Sequence, residues 1–183
     1  MAGGPTMETR GERLARGDQS AFAELYDACA DRVHHYLVVF LGARADADDA
    51  LQETFCRLAR NRAKLAGIEN LVAYVFTVAR NEALRIAGRQ SREATRLDTT
   101  VSPEELFCDA AGKDERAREM AEWVAATLAR LEPELRELVE LKTYGDLTIR
   151  EIGEVTGVPQ GTVATRYRKA LETLRALMAK EGQ

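Results

Sequence analysis

The chain has 183 residues, 45% hydrophobic and 31% charged, and this composition suits one or two small folded domains with real cores. No apolar run approaches the roughly 20 residues that a membrane-spanning helix needs. The N-terminus lacks a basic segment followed by an apolar one, so we expect a cytoplasmic protein. The three cysteines are scattered, and we interpret them as reduced thiols and not as a disulfide framework.

The net charge of −4 is unevenly distributed along the chain. Residues 97–115 carry six acidic side chains against one lysine, whereas basic residues exceed acidic ones by four between Gln160 and Lys180. A basic C-terminal end is typical of proteins that contact phosphates. Because the excess is modest, we expect DNA binding that takes much of its affinity from a partner.

Amphipathic helices dominate the first half of the sequence. We predict one helix that begins near Asp18 or Ser20 and ends at Gly42, and a third that runs from about Leu71 to Arg92. The second begins around Asp46, and one narrow face of it carries Ala47, Ala50, Leu51, Thr54, Phe55 and Leu58. The third helix is predicted to carry a polar, mostly basic ridge formed by Arg80, Asn81, Arg85, Arg89 and Arg92.

The last third of the chain has the local signals of a helix-turn-helix. Thr148 and Glu151 form a T-x-x-E capping box at the start of one short helix, and Gly157 supplies the turn that ends it. A second helix follows Val158-Pro159 and is rich in Thr, Arg and Lys. Such a pair of helices places side chains in the major groove of DNA, whereas a plain helical hairpin is the simpler alternative.

Between the helical halves, residues 97–112 mix Thr, Ser, Pro, Asp and Gly without a sustained helical period. We therefore predict an all-α protein with two small helical domains, residues 9–96 and 115–181. An acidic linker, residues 97–114, joins them.

Two stretches of the first domain, Asp46–Phe55 and Ala73–Asn81, resemble conserved region two of the extracytoplasmic-function (ECF) sigma factors of bacterial RNA polymerase. Thr148–Leu174 resembles their region four, and the resemblance covers roughly residues 9–96 and 115–181. It implies a transcription initiation factor that is not an enzyme and needs no cofactor. Such a factor binds core RNA polymerase and promoter DNA, and is commonly held inactive by an anti-sigma factor.

The resemblance also implies which residues make these contacts. The helix that matches Asp46–Leu58 docks on core polymerase, through Asp46, Asp49, Gln52, Glu53 and Arg57. The surface that reads and opens the minus-ten promoter element comprises Arg62, Asn70, Arg80, Asn81, Arg85, Arg89 and Arg92, with Lys64 as a further loop residue. The minus-thirty-five element is contacted by Thr162, Thr165, Arg166, Arg168 and Lys169. The acidic linker either enters the polymerase channel or is a solvated tether.

Three alternatives stay open at this point. The acidic trio Asp46, Asp48 and Asp49 serves N-terminal capping as well as, or instead of, polymerase docking. The second alternative is that the protein is a stand-alone helix-turn-helix regulator, which binds its site without polymerase. The third and more remote alternative is that the same trio belongs to a metal-dependent hydrolase. No metal site is predicted, because the adjacent His34 and His35 diverge by about 100° on a helix.

Overall fold

The computed structural model describes residues 9–94 and 123–181, with side chains described for 9–90 and 123–179. The N-terminal part contains α1 (Arg10–Ala15), α2 (Gln19–Leu41), α3 (Arg44–Arg60), a 3₁₀ helix (Arg62–Gly67) and α4 (Leu71–Ala94). The C-terminal part contains α5 (residues 123–129), α6 (Pro133–Thr143), α7 (Ile149–Thr156) and α8 (Gln160–Glu181). These ranges contain no strand, and the all-α prediction is confirmed. The predicted linker, residues 97–114, and the Arg92 side chain lie outside the described residues.

Helix boundaries follow the local signals in the sequence. The Asp18 carboxylate accepts hydrogen bonds from the backbone N–H groups of Ser20 and Ala21, and so caps α2. Gly42 ends α2 in the left-handed region, at φ 72°. Thr148 and Glu151 form the predicted capping box of α7, and Gly157 ends that helix at φ 72°. These predictions are confirmed.

The start of α3 differs from the prediction. The helix begins at Arg44, two residues earlier than expected, and its N-cap residue Ala43 offers no side-chain hydrogen bond. Asp46 lies in the first turn but accepts a hydrogen bond from Gln90 Nε2 of α4 at 2.6 Å. Asp48 Oδ1 lies 2.8 Å from His34 Nε2. These two carboxylates therefore tie neighbouring helices together, while Asp46 still lies in the first turn, where its charge complements the helix dipole.

The short helix α1 was not predicted, although Thr9 and Glu12 form a second capping box at its start. It packs against the 3₁₀ helix, where Gly11 lies so close to the Leu65 carbonyl that an added Cβ would overlap with its oxygen. Leu14 and Leu65 are both buried. This contact holds the segment between α3 and α4 against the rest of the N-terminal helices.

The cores of the two helical parts are continuous. In the N-terminal part, α2, α3 and α4 pack around fully buried residues such as Leu37, Val75 and Phe76. Helix α7 packs directly on α4. One apolar cluster therefore contains these residues together with Leu138, Leu141, Leu147, Ile152, Val155 and Val163 of the C-terminal part. A smaller cluster of Leu128, Leu131, Leu135, Val139 and Ala170 joins α5, α6 and α8.

Among the described residues, no helix combines the length and the apolar content that crossing a membrane requires.

Candidate nucleic-acid interface

The outer face of α3 presents polar side chains around Asp49 and Gln52, which are both exposed. Glu53 is half-buried and binds Arg57 at 3.3 Å and Arg60 at 3.1 Å. Desolvation raises the pKa of Glu53, but the hydrogen bonds and charges of these arginines outweigh it, so the pKa is lowered. The carboxylate therefore stays ionised on a face that mixes both signs of charge.

Glu82 is a buried carboxylate between two of the predicted site residues. Its side chain is only 1% exposed, and its two oxygens lie 2.6 Å from Arg57 Nε and 2.8 Å from Arg85 Nε. Both arginine side chains remain 43% exposed. Arg57 of α3 and Arg85 of α4 are thus held by one acid, while parts of their guanidinium groups face solvent.

Sequence reasoning missed Glu82. The signal was available, because Glu82 lies three residues after Ala79 on the apolar face of α4, where a charge is costly without partners.

The predicted ridge on α4 is divided by the fold. Asn81, Arg85 and Arg89 are exposed and share one side of the helix. Arg80 faces another direction, towards α6. The ridge is therefore narrower than expected, and the direction of Arg92 is not described.

A cavity of about 170 Å³ opens beside this ridge, where the end of α3, the 3₁₀ helix and α4 meet. Tyr74 is half-buried and forms part of its wall. The polar lining consists of Arg57, Asn61, Lys64, Asn81 and Glu82. Exposed cations, amides and an aromatic ring thus surround a pocket open to solvent.

The remaining predicted minus-ten residues are dispersed. Arg62 is exposed and lies over Gly17, in the turn between α1 and α2. Asn70 caps α4, accepting a hydrogen bond from the backbone N–H of Ala73 at 3.0 Å, and its amide donates to Glu151 of α7. It lines a second cavity, of about 430 Å³, between the 3₁₀–α4 loop and α7.

Arg80 is bound by the C-terminal part. Its Nε and Nη2 donate to the two oxygens of Glu137 at 2.7 and 3.3 Å, and the Tyr36 hydroxyl donates to the same carboxylate at 2.8 Å. Desolvation lowers the pKa of Arg80, but Glu137 raises it more. Burial, followed by the Glu137 charge, raises the pKa of Tyr36. Both groups therefore keep their protons, and this three-residue contact is a charged hydrogen-bond network.

Helix α8 has one buried side and one side open to solvent. Val163 and Ala170 are fully buried and anchor it, whereas Thr162, Thr165, Arg166 and Lys169 follow i, i+3, i+4 and i+7 spacing on another face. Arg168 is exposed to one side of that face. Two acids at the start of α6 lie nearby: Glu134 is 2.8 Å from Arg166, and Glu132 is 3.6 Å from Lys169.

The histidines and cysteines serve other roles in the structure. His34 contacts Asp48, and His35 stacks on Tyr144 with ring centroids 3.9 Å apart. Cys29 is buried, and desolvation raises its pKa to about 11, whereas Cys56 is exposed on α3. In the described part of the chain no three His, Cys, Asp or Glu side chains cluster as a metal site would require.

Comparison with known families gives two matches in the expected order. The family model described as Sigma-70 region 2 matches residues 25–93, and the one described as Sigma-70, region 4 matches residues 121–174. The ECF RNA polymerase sigma factor RpoE of Cereibacter sphaeroides is 31% identical over 169 residues, covering 88% of each chain. The ECF RNA polymerase sigma factor SigW of Bacillus subtilis is 26% identical over 179 residues, covering 92% of this chain and 95% of its own.

Solved structures with the same fold include a complex of CnrH with the cytosolic domain of CnrY. It has a TM-score of 0.67 at 22% identity, covering 93% of this chain and 96% of that one. Another is the sigma factor RpoE of Bartonella quintana in complex with the anti-sigma factor NepR, with a TM-score of 0.70 at 18% identity and coverages of 88% and 96%. At these identities the structures establish the fold, with its two helical domains. The sequence matches show that the chain belongs to the ECF RNA polymerase sigma factors, the non-enzymatic alternative sigma factors that bind core RNA polymerase and direct it to specific promoters.

Proposed function

We propose that three surfaces of this sigma factor divide the work of initiation. The outer face of α3 docks on core polymerase, the α4 ridge with its adjoining cavity binds the minus-ten element, and the exposed face of α8 binds the minus-thirty-five element. The observation that carries the proposal is the 170 Å³ cavity beside exposed Asn81, Arg85 and Arg89. In this division residues 9–96 form region two, residues 97–114 the linker and residues 115–181 region four.

Strand opening explains why a pocket and a cationic ridge belong together. An unpaired strand must be held along its phosphates by cations, and an extruded base needs an enclosed site with hydrogen-bonding groups or a ring to stack on. Arg85 and Arg89 supply the charge. Asn81, Lys64 and Tyr74 line the cavity and supply amide, ammonium and aromatic groups. We assign four further residues to contacts with the same DNA strand: Arg62, Asn70, Arg80 and Arg92.

Recognition of the minus-thirty-five element rests on the exposed face of α8. Arg166 is suited to guanine, because a guanidinium can donate to both acceptors on the major-groove edge of that base. Thr162 and Thr165 flank it on the same face, while Arg168 and Lys169 are placed for phosphates. Glu134 holds Arg166 in the free protein, and DNA binding replaces that exposed pair.

Docking on polymerase is assigned to Asp49 and Gln52, whose side chains are exposed, with Glu53 and Arg57 behind them. Asp46 takes part by fixing α3 to α4 through Gln90. We further propose a cytoplasmic location, since the polymerase is there, and binding by an anti-sigma factor, because a structural neighbour is bound to one.

The test is reconstituted transcription with purified core polymerase, on a promoter selected from a random library by the holoenzyme. Asp49→Ala with Gln52→Ala should weaken co-elution with core polymerase. Asn81→Ala with Arg89→Ala should leave co-elution intact but reduce permanganate reactivity of thymines in the opened strand. Arg166→Ala should cost on the order of 10- to 100-fold in affinity, and only when the minus-thirty-five element is present.

The matched control is Asp27→Ala, which removes an exposed charge from α2, outside all three surfaces. It should leave every readout unchanged. If the three sets of variants lost all activities together, the division into surfaces would be wrong. A chain that protected its promoter tightly without polymerase would instead be a stand-alone regulator.

A further inference from the structure

A histidine and a buried glutamate meet where α6 packs on α2. The side chain of Glu140 on α6 is 1% exposed, and within the described residues neither of its carboxylate oxygens accepts a hydrogen bond. Its Oε2 lies 3.5 Å from Nε2 of His35 on α2, an atom that is itself shielded from solvent. Glu82, which is buried to the same degree, differs because two arginines bind its oxygens.

The arginines around this pair are bound to other groups. On α2, Arg32 donates to two backbone carbonyls. On α6, Arg136 donates to three backbone carbonyls at and just beyond the end of α5. Arg80 of α4 is bound within the charged hydrogen-bond network described above. These bonds leave His35 as the base that faces Glu140.

The remaining titratable groups near the pair are carboxylates and a phenol. Glu137, one turn before Glu140 on α6, is bound within the same charged network. Asp31 lies one turn before His35 on α2 and is exposed. The ring of Tyr144 stacks on His35, and desolvation, followed by the Glu140 charge, raises the pKa of its hydroxyl. Carboxylates titrate well below pH 6.5 and such phenols well above pH 8, so a proton exchanged between these limits belongs to the histidine–glutamate pair.

The physical reason for a proton here is the burial of the carboxylate. A buried charge without hydrogen bonds is unfavourable unless it is paired or neutralised. One proton on the pair is enough, because it makes either His35 a cation beside the carboxylate or Glu140 neutral. When α6 and α2 are apart in water, both side chains lose their protons above about pH 6.5, the usual pKa of histidine. The packed contact therefore binds a proton that the separated helices have released.

We propose that the packing of α6 on α2 is linked to the uptake of one proton, which His35 and Glu140 share. Because the packed state holds this proton and the separated state does not, the contact is strongest below about pH 6.5 and weakens as the pH rises. A pair that stays protonated while packed shifts the equilibrium towards separation on the order of tenfold between pH 6.5 and 8.0. The contact between the two helical parts is thus a pH-sensitive device, whichever surfaces bind DNA or polymerase.

The test measures how far urea separates the two helical parts at pH 6.5 and at pH 8.0. Energy transfer is followed between a dye on exposed Cys56 and one on Met178→Cys, another exposed position, with Cys108 replaced by serine. Urea brings the separation into a measurable range even if the packed form dominates at both pH values. The equilibrium constant for separation is obtained at each pH, without DNA or polymerase.

The variants change the proposed proton site and its nearest counterpart. Glu140→Gln removes the charge and keeps the size of the side chain, and Glu140→Met does the same with an apolar side chain of similar volume. The matched control is His34→Gln, because the sequence has only two histidines and His34 contacts Asp48 of α3 instead of α6. Circular dichroism checks that each variant is folded, and either folded Glu140 variant is decisive.

In the parent and in His34→Gln, the equilibrium constant for separation should rise on the order of tenfold between pH 6.5 and 8.0. In the Glu140 variants it should change by no more than about twofold, because no buried carboxylate then needs the proton. A parent that responds no more strongly than the Glu140 variants would overturn the proposal. A response that disappears in His34→Gln would also overturn it, since the proton would then belong to the Asp48 contact.

Discussion

Replacing Glu82 by glutamine tests whether Arg57 and Arg85 are held by the fold before they meet any partner. The substitution keeps the size of the side chain but removes its charge, so two charge-assisted hydrogen bonds are weakened. Such bonds contribute about 1.5–3 kcal/mol each when buried. The side chains of Arg57 and Arg85 are each 43% exposed, so in the variant water replaces part of the lost interaction. We therefore expect a loss of about 2 kcal/mol in the free energy of unfolding.

The assay is urea unfolding followed by circular dichroism, with the thermal midpoint as a second measure. A loss of 2 kcal/mol should lower the midpoint by about 4–8 °C in a protein of this size. Glu134→Gln is the matched control, because its ion pair with Arg166 has the same 2.8 Å length as the Glu82–Arg85 pair but side chains 71% and 41% exposed. That variant should stay within about 1 kcal/mol of the parent. Equal losses in the two variants would refute the structural role of Glu82.

Three further predictions follow from close contacts, burial and charge. Gly11→Ala should lower the free energy of unfolding by about 2 kcal/mol, because the added Cβ meets a backbone carbonyl. Gly88→Ala should raise it by about 1 kcal/mol, because nothing lies near the added Cβ. Equal changes in the two variants would contradict this reasoning. With the third cysteine replaced by serine, Cys56 should react rapidly with iodoacetamide and be protected by core polymerase, while Cys29 should react only on unfolding. The folded-state pKa of Glu151 is lowered from 4.5, chiefly by the hydrogen bond from the Thr148 backbone N–H. The ionised carboxylate therefore stabilises the folded protein above pH 4.5, and this stabilisation is lost as the pH falls through the lowered pKa. The stability difference between the parent and Glu151→Gln should thus shrink as pH falls from about 5 to about 3, and a constant difference would argue against it.

Short-range patterns in the sequence predicted most helix boundaries correctly. Asp18, Gly42, Thr148 and Gly157 act within a few residues of themselves, through capping hydrogen bonds or a left-handed turn, so their positions can be read locally. The exceptions were α1, which was not predicted, and α3. The acidic first turn of α3 suggested capping, but Asp46 and Asp48 bond instead to Gln90 and His34, which are distant in sequence.

The sequence alone determined the helical class, the order of the two domains and the family, since these depend on periodicity and on local motifs. Only the tertiary structure decided the partners of the charged residues. Charged side chains at the same helical spacing can face solvent, DNA or another domain. Which of these they meet depends on the surface that packs against that side of the helix. The fold joins Arg57 and Arg85 through buried Glu82, and turns Arg80 away from Asn81 towards Glu137. These pairings link residues up to 57 positions apart, a separation that no local pattern encodes.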